Sequence, residues 1–311
     1  MIICVNMRHL NDDQKGLFVS MPEAQCSIEH LVQSWGKQSS LVPKPGFEGA
    51  ALPTDIGTLL TLFEKMPEKQ LFVRVSGLHL GDKCDMTRIP FAELDNVPEK
   101  LQSRKSQFHL QAVDLEKCDD RFSAFEDQIT GYLAQHVPAF ERQKTTCSIG
   151  VFLSTPGAVA PFHADIEHNF LLQMVGEKTF HSFPSNDYEM FTATHRERLA
   201  ADKIHVLDTY NASFEQQCRL TQLKPGMMLY HPPMSPHWVS TSDASYALSY
   251  TVSLITEDVD QRQIIHKLNK RIRKFGLNPA EPGQSAVKDK VKIHTGAFLR
   301  KVKNLIPGAA T

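Results

Sequence analysis

Hydrophobic and polar residues alternate in short runs through much of the second half of this chain. Residues 148–154 (Ser-Ile-Gly-Val-Phe-Leu-Ser) read as a strand closed by the turn Thr155-Pro156-Gly157. Residues 169–175 (Asn-Phe-Leu-Leu-Gln-Met-Val) read as a second strand, Gly176-Glu177 as a tight turn, and residues 178–183 as the return strand of a hairpin. Further strands are expected at 227–230 and 246–254. Short strands at turn-punctuated intervals through residues 140–256 favour an antiparallel barrel or sandwich over a parallel sheet. Upstream, residues 71–76 and 108–114 alternate like strands, whereas residues 122–137 carry apolar side chains at helical intervals, with Asp120 as the expected cap. Residues 27–35 suggest a helix, and 43–53 are rich in turn formers. The fold class is therefore α+β, mainly β, without internal repeats or low-complexity tracts.

Period-two parity sorts the strand residues onto faces. Asn169, Leu171 and Gln173 share one face, as do Lys178 and Phe180, and as do Ser249 and Thr251. A lysine on a buried strand face is costly unless an anion meets it. Taken alone, Lys178 reads as an edge residue turned to solvent; beside a metal-binding triad it reads as a carboxylate binder.

The pattern changes after residue 256. Residues 259–275 place Ile264, Ile265, Leu268 and Ile272 at helical spacing between basic residues, a Gly/Pro-rich break covers 276–283, and a lysine-rich stretch follows at 287–305. Net charge is −1 overall, yet residues 257–311 hold 12 Lys/Arg against 5 Asp/Glu, leaving +7 there and −8 on residues 1–256. Such a basic amphipathic helix can meet nucleic acid. A solvated face whose apolar stripe packs on the body or on a second subunit is the favoured reading, with no membrane contact. The organisation expected is a catalytic domain over 1–256 (core about 108–256, N-terminal extension 1–107) and a basic helical region over 257–311.

At 311 residues, 41% hydrophobic and 22% charged, the composition is that of an ordinary globular protein. The six cysteines (Cys4, Cys26, Cys84, Cys118, Cys147, Cys218) are scattered, with no Cys-x-x-Cys, so neither a zinc ribbon nor a disulfide framework is expected. The apolar start at residues 1–9 lacks the basic region and sustained apolar run of a signal peptide. A reducing, cytoplasmic setting follows as an expectation.

Candidate chemistry centres on His163-Ala-Asp165 and, far downstream, His237 in Pro-Pro-Met-Ser-Pro-His-Trp. Two imidazoles and one carboxylate make the ligand set of a non-haem Fe(II) oxygenase, with open positions opposite. With 14 His and 35 acidic residues in 311, about 1.6 His-x-acid pairs arise by chance, and two occur. Context separates them. His195-x-Glu197 lies in residues 190–203, a helix-like stretch on which i and i+2 diverge, so both side chains read as solvated surface. His163-x-Asp165 follows a strand, where i and i+2 share a face. His231 is a competing ligand near His237.

These residues carry a resemblance. His163-x-Asp165, Asn169-Phe170, Gly176-x-Lys178 and Gly226…Tyr230-x-Pro232 leading to His237 resemble the JmjC-type 2-oxoglutarate oxygenases of the cupin fold, over roughly residues 145–255. The chain is especially similar to the hydroxylase subgroup that includes the asparaginyl hydroxylase of hypoxia-inducible factor. The resemblance implies a double-stranded β-helix core and an oxygenase using Fe(II), O₂ and 2-oxoglutarate, which releases succinate and CO₂. It implies His163, Asp165 and His237 as metal ligands, Lys178 on the distal carboxylate of 2-oxoglutarate, and Asn169 orienting a ligand. Many relatives carry a threonine three residues before the first ligand; here that position is Ala160, with Ser154, Ser249 or Thr251 as substitutes. The substrate implied is a protein side chain, RNA or small molecule, and the subgroup's habit implies a homodimer through C-terminal helices, with 259–275 as the interface. Two other readings stand beside this one: a cupin metalloenzyme that does not use 2-oxoglutarate, which has no need of Lys178, and a non-catalytic JmjC-like binding module, which has no need of the triad.

Overall fold

The computed structural model describes residues 26–43, 51–75, 96–102 and 107–305, apart from 206 and 208. The N-terminal run 1–9, Cys4, Cys84 and most of 43–53 lie outside the described residues. Two antiparallel sheets face each other. The larger has seven strands: β1 (Ser40–Val42), β2 (Leu71–Val75), β3 (Phe108–Ala112), β4 (Thr146–Ser154), β6 (His168–Val175), β9 (Met228–His231) and β11 (Ala247–Ile255), in the order β1-β9-β6-β11-β4-β3-β2. The smaller contains β5 (Val159–Ala164), β7 (Lys178–Ser182), β8 (Arg219–Leu223) and β10 (Pro236–Thr241), in the order β5-β10-β7-β8. From β4 to β7 the chain changes sheet at every strand, and again between β8 and β11, which winds it as a double-stranded β-helix. The segment before residue 108 is woven in, because β1 pairs with β9 and β2 with β3.

One expected connection differs. β6 and β7 do not form a hairpin, since β6 sits in the large sheet and β7 in the small one. Gly176 makes the crossing, with φ +70 and so little room that a Cβ there would lie 2.3 Å from the Tyr246 carbonyl oxygen. A backbone bent this sharply under another backbone leaves room only for glycine.

The outer face of the large sheet is covered by α1 (Ile28–Ser34), α2 (Ile56–Phe63), α3 (Val97–Gln102) and α4 (Asp120–His136). Helix α4 buries Phe122, Phe125, Ile129 and Leu133, at i, i+3, i+7 and i+11, against Ile149, Val151 and their neighbours. Each such side chain contributes about 1.5–3 kcal/mol. Its cap is Asp119, whose carboxylate accepts from the Arg121 amide, rather than the expected Asp120, which is already helical. Trp35, the C-cap of α1, stacks on His168 and on Tyr230, and the Tyr230 hydroxyl accepts from the Gly36 amide at 2.7 Å. That stack fastens the N-terminal segment to the large sheet.

The outer face of the small sheet packs on a second core built from Phe162, Phe183, Trp238, Leu199 and Val259. Here α5 (Ala193–Asp202) meets α6 (Glu257–Arg273), and α7 (Ala286–Leu305) lies on α6. Glu197 departs from the expectation of a solvated side chain: it is 2% exposed and accepts from Arg273 at 2.7 Å, so His195 and Glu197 diverge as expected but only His195 retains partial exposure. Among the described residues no helix is long and apolar enough to cross a membrane.

Candidate metal centre

On the inner faces of the two sheets, polar residues stand beside a small apolar cluster of Leu41, Phe180, Leu223 and Leu229. β5 and β10 pair so that His163 stands directly opposite His237, and antiparallel partners project to the same side. A register shift follows immediately, between His237 and Val239. Asp165, two residues past His163, keeps the same face, and its carbonyl accepts from the Met234 amide at 2.7 Å. The donor atoms of His163, Asp165 and His237 all fall within 4.8 Å of one another; His237 Nε2 is 3.7 Å from Asp165 Oδ2, and the two rings are 4.0 Å apart.

Hydrogen bonding fixes how the rings point. His163 Nδ1 donates to the Pro161 carbonyl at 2.6 Å and His237 Nδ1 to the Ser235 carbonyl at 3.1 Å. A carbonyl only accepts, so each Nδ1 carries the proton and each Nε2 keeps a bare lone pair. Burial, and after it the neighbouring imidazole charge, lowers both histidines to about 3, which keeps them neutral. For Asp165 burial works upward, but the His205 hydrogen bond and the surrounding imidazoles outweigh it and hold the carboxyl well below its usual range. Two neutral imidazoles and one carboxylate converging with free lone pairs fit a divalent cation of the iron class.

Asp165 is held from both sides. His205 Nδ1 donates to Oδ1 at 3.0 Å, and Asn169 Nδ2 donates to Oδ2 at 3.0 Å while the Ser253 hydroxyl donates to the Asn169 side-chain oxygen Oδ1 at 2.7 Å. Sequence reasoning missed His205, which belongs to no spacing motif. Its only signal is tertiary: the Ala164 amide donates to the His205 carbonyl and the Leu207 amide to the Phe162 carbonyl, so this segment covers the free edge of β5. His231, the competing ligand, is spent elsewhere, with Nδ1 on the Ser39 hydroxyl at 2.8 Å and Nε2 on the Ser235 carbonyl at 3.0 Å.

Lys178 lies on the inner face of β7, 5% exposed, with its ammonium 5.6 Å from the centre of the Phe152 ring. Among the described residues it has no ion-pair partner, and burial lowers it to about 7. Thr241 stands opposite it on β10 and Thr221 stands opposite Phe180 on β8. Both threonine hydroxyls are buried without a hydrogen-bond partner among the described residues. Among the described residues, the inner face of the small sheet therefore holds one uncompensated cation and two unused hydroxyls.

The expected substitutes for a hydroxyl at Ala160 fare unequally. Ser154 is 2.8 Å from His109 Nδ1, and Ser249 donates to Gln173 at 2.7 Å, in a network that continues to the Val175 and Gly176 carbonyls. Thr251 stands over Gly150, whose missing Cβ leaves the room its hydroxyl takes. Thr241 and Thr221, which no sequence pattern singles out, are the hydroxyls left without partners.

Comparison with solved structures returns the same fold. The X-ray structure of Escherichia coli ycfD superposes with a TM-score of 0.52 at 17% identity, covering 90% of this chain and 68% of that one. The E. coli protein, described as a ribosomal oxygenase, also matches in its complexes with cobalt and succinic acid (TM-score 0.51) and with cobalt and 2-oxoglutarate (0.50), each at 17% identity over 90% of this chain and 67% of that one. At such identity the likeness is one of fold. Sequence supplies the rest: a family model for the cupin-like domain matches residues 77–253, more than half of the chain and including His163, Asp165, Lys178 and His237, and the chain belongs to that family.

Proposed function

We propose that this protein is an Fe(II)- and 2-oxoglutarate-dependent oxygenase that hydroxylates a protein side chain. One observation carries the reading: a converging His/Asp/His set stands on the same sheet's inner face as a buried lysine that has no ion-pair partner among the described residues. The triad alone suits any cupin metalloenzyme. A buried, unpaired ammonium is costly, and a dicarboxylate anchored at one end on the cation and at the other on Lys178 removes that cost. The E. coli neighbour, described as a ribosomal oxygenase in complex with cobalt and 2-oxoglutarate, supports the cosubstrate and is consistent with a macromolecular substrate.

His163, Asp165 and His237 would hold the iron, and Thr241 and Thr221 would complete the carboxylate site in place of the hydroxyl absent at Ala160. When bound, the iron couples O₂ activation to oxidative decarboxylation of 2-oxoglutarate, so that one oxygen atom enters succinate and the other the substrate C–H bond, with CO₂ released. The protein's own part is positional. His205 and Asn169 fix the Asp165 carboxylate, Lys178 fixes the far end of the cosubstrate, and Phe180, stacked on His237 at 4.9 Å, packs apolar surface between the two ends. The domain division at residue 256, the cytoplasmic setting and a homodimer through the C-terminal helices belong to the same proposal.

Anaerobic reconstitution with Fe(II), followed by admission of O₂ and 2-oxoglutarate, tests it by succinate formation. Turnover in the wild type and its loss in Asp165→Ala are expected. A wild type that retains iron yet neither binds nor consumes 2-oxoglutarate would instead favour the cosubstrate-free cupin enzyme.

A further inference from the structure

A second group of metal-ligating side chains lies outside the pocket, and the first site leaves it unused. His181 is on β7, Glu215 in the 3-10 turn Ala212–Gln217, and Cys218 caps that turn just before β8. Strand alternation turns His181 away from Lys178, Phe180 and Ser182, and turns its cross-strand partner Trp238 away from His237. The group therefore sits on the outer face of the same sheet whose inner face carries the triad.

We propose that His181, Glu215 and Cys218 form a binding site for zinc or a similarly thiophilic divalent cation, with three protein ligands and one open position. The distances carry the argument. His181 Nδ1 lies 3.3 Å from Glu215 Oε2 and 3.6 Å from Cys218 Sγ, and all three donor atoms lie within 4.8 Å of one another. Bonds of about 2.1 Å to nitrogen and oxygen and about 2.3 Å to sulfur, set tetrahedrally, place N and O about 3.4 Å apart and N and S about 3.6 Å apart. The observed edges match both values.

Orientation agrees with spacing. Glu215 Oε1 accepts from the Tyr210 hydroxyl and from Trp238 Nε1, each at 2.9 Å, so Oε2 is the oxygen turned toward His181 and Cys218. The His181 ring lies flat on Trp238, centroids 3.4 Å apart, which fixes Nδ1 in the cluster. Such buttressing of a carboxylate and an imidazole is what surrounds metal ligands in general. Burial and the Glu215 carboxylate push the Cys218 thiol up; a cation turns that like-charge conflict into attraction, with the thiol proton released to solvent as the metal–sulfur bond forms. The mixed N/O/S set excludes magnesium and calcium, which prefer all-oxygen shells. The Glu215 side chain is 33% exposed, which leaves the fourth position to water. A cation here would clamp the 212–218 segment onto β7 and, through Trp238, onto β10.

Cobalt(II) tests the proposal on the full chain, because of the two candidate groups among the described residues only this one contains sulfur. Metal-stripped protein titrated with cobalt(II) is expected to take up two equivalents and to show thiolate-to-cobalt charge-transfer absorption, bleached by added zinc. Cys218→Ser is expected to lose the band and one equivalent. Asp165→Ala, which breaks the triad, is expected to keep the band while also losing one equivalent. Glu215→Gln, which keeps a hydrogen-bonding side chain, is expected to weaken cobalt uptake at this site at least tenfold. A wild type that binds one equivalent with no charge-transfer band overturns the proposal whatever the variants do, and so does a band that survives Cys218→Ser.

Discussion

Lys178 is the residue that costs the pocket most. Its ammonium titrates near 10.5 when exposed and near 7 in the folded chain, with burial as the cause. At about 1.36 kcal/mol per tenfold change in proton affinity, the penalty has an upper bound of about 5 kcal/mol. Between pH 7 and 10.5 the unfolded chain holds the extra proton, so this residue's penalty is complete below pH 7 and relieved as pH rises toward 10.5. Ligand-free Lys178→Met is therefore expected to be more stable than the wild type at pH 6, with the gap closing toward pH 10. Added 2-oxoglutarate should raise the melting temperature of the wild type only. Parallel stability–pH curves for the two proteins would remove Lys178 from the anion site. His205 makes a separate prediction. His205→Ala is expected to weaken Fe(II) binding about 10–100-fold, whereas His205→Asn, which keeps an N–H near the Nδ1 position, should restore most of it. Equal iron affinity in wild type and His205→Ala would show that Asn169 alone suffices to hold Asp165. Parity along a strand puts His163 and Asp165 on one face, and the family resemblance adds Lys178. His205, Thr221 and Thr241 are not legible in the sequence, because each meets the pocket only through pairing between distant segments.

At the scale of elements, the β6–β7 connection shows where local pattern stops deciding. Two strand-like runs around Gly-Glu fit a hairpin and a corner equally well, because period-two alternation says nothing about which sheet a strand joins. The Tyr246 carbonyl decides it, and it lies some 70 residues away in sequence. The helices are more legible, since their apolar stripes and caps are local: α4 and α6 fall within a few residues of expectation. The corner makes a quantitative comparison. Gly176→Ala combines a left-handed backbone with a Cβ 2.3 Å from the Tyr246 carbonyl oxygen. Gly226→Ala has the same kind of backbone, φ +85, but nothing within 4 Å. Strain from φ alone costs about 1 kcal/mol. Gly226→Ala is expected to lose about that much in urea denaturation, and Gly176→Ala at least twice as much. Similar losses at the two sites would mean that the corner relaxes and that the close approach does not dictate glycine.

For the whole molecule, the question is what the basic C-terminal helices face. Among the described residues, three of their twelve cations form hydrogen-bonded ion pairs with carboxylates of the chain, two of these with residues outside the C-terminal helices. Arg273 binds Glu197 and Glu281, Arg300 forms a two-pronged pair with Asp260, and Lys270 pairs with Asp202. The apolar stripe of α6 is also used internally: Val259, Ile264 and Ile265 are buried, and Gly296 lets α7 approach Ile264 so closely that a Cβ would lie 2.2 Å from its side chain. The homodimer proposed above would therefore meet through α7 rather than through α6. On the side of α7 away from Gly296, Val287, Val291 and Phe298 align at helical spacing and are 74%, 61% and 66% exposed. A second copy of this chain, pairing α7 with α7, is the occupant that symmetry offers most simply, because one self-complementary stripe then serves both subunits. Light scattering at micromolar concentration is expected to give a dimer for the wild type and a monomer for Phe298→Asp. Succinate formation by the monomer should be unchanged, since no residue of the pocket lies on α7. A wild type that stays monomeric would leave the stripe without the partner assigned to it.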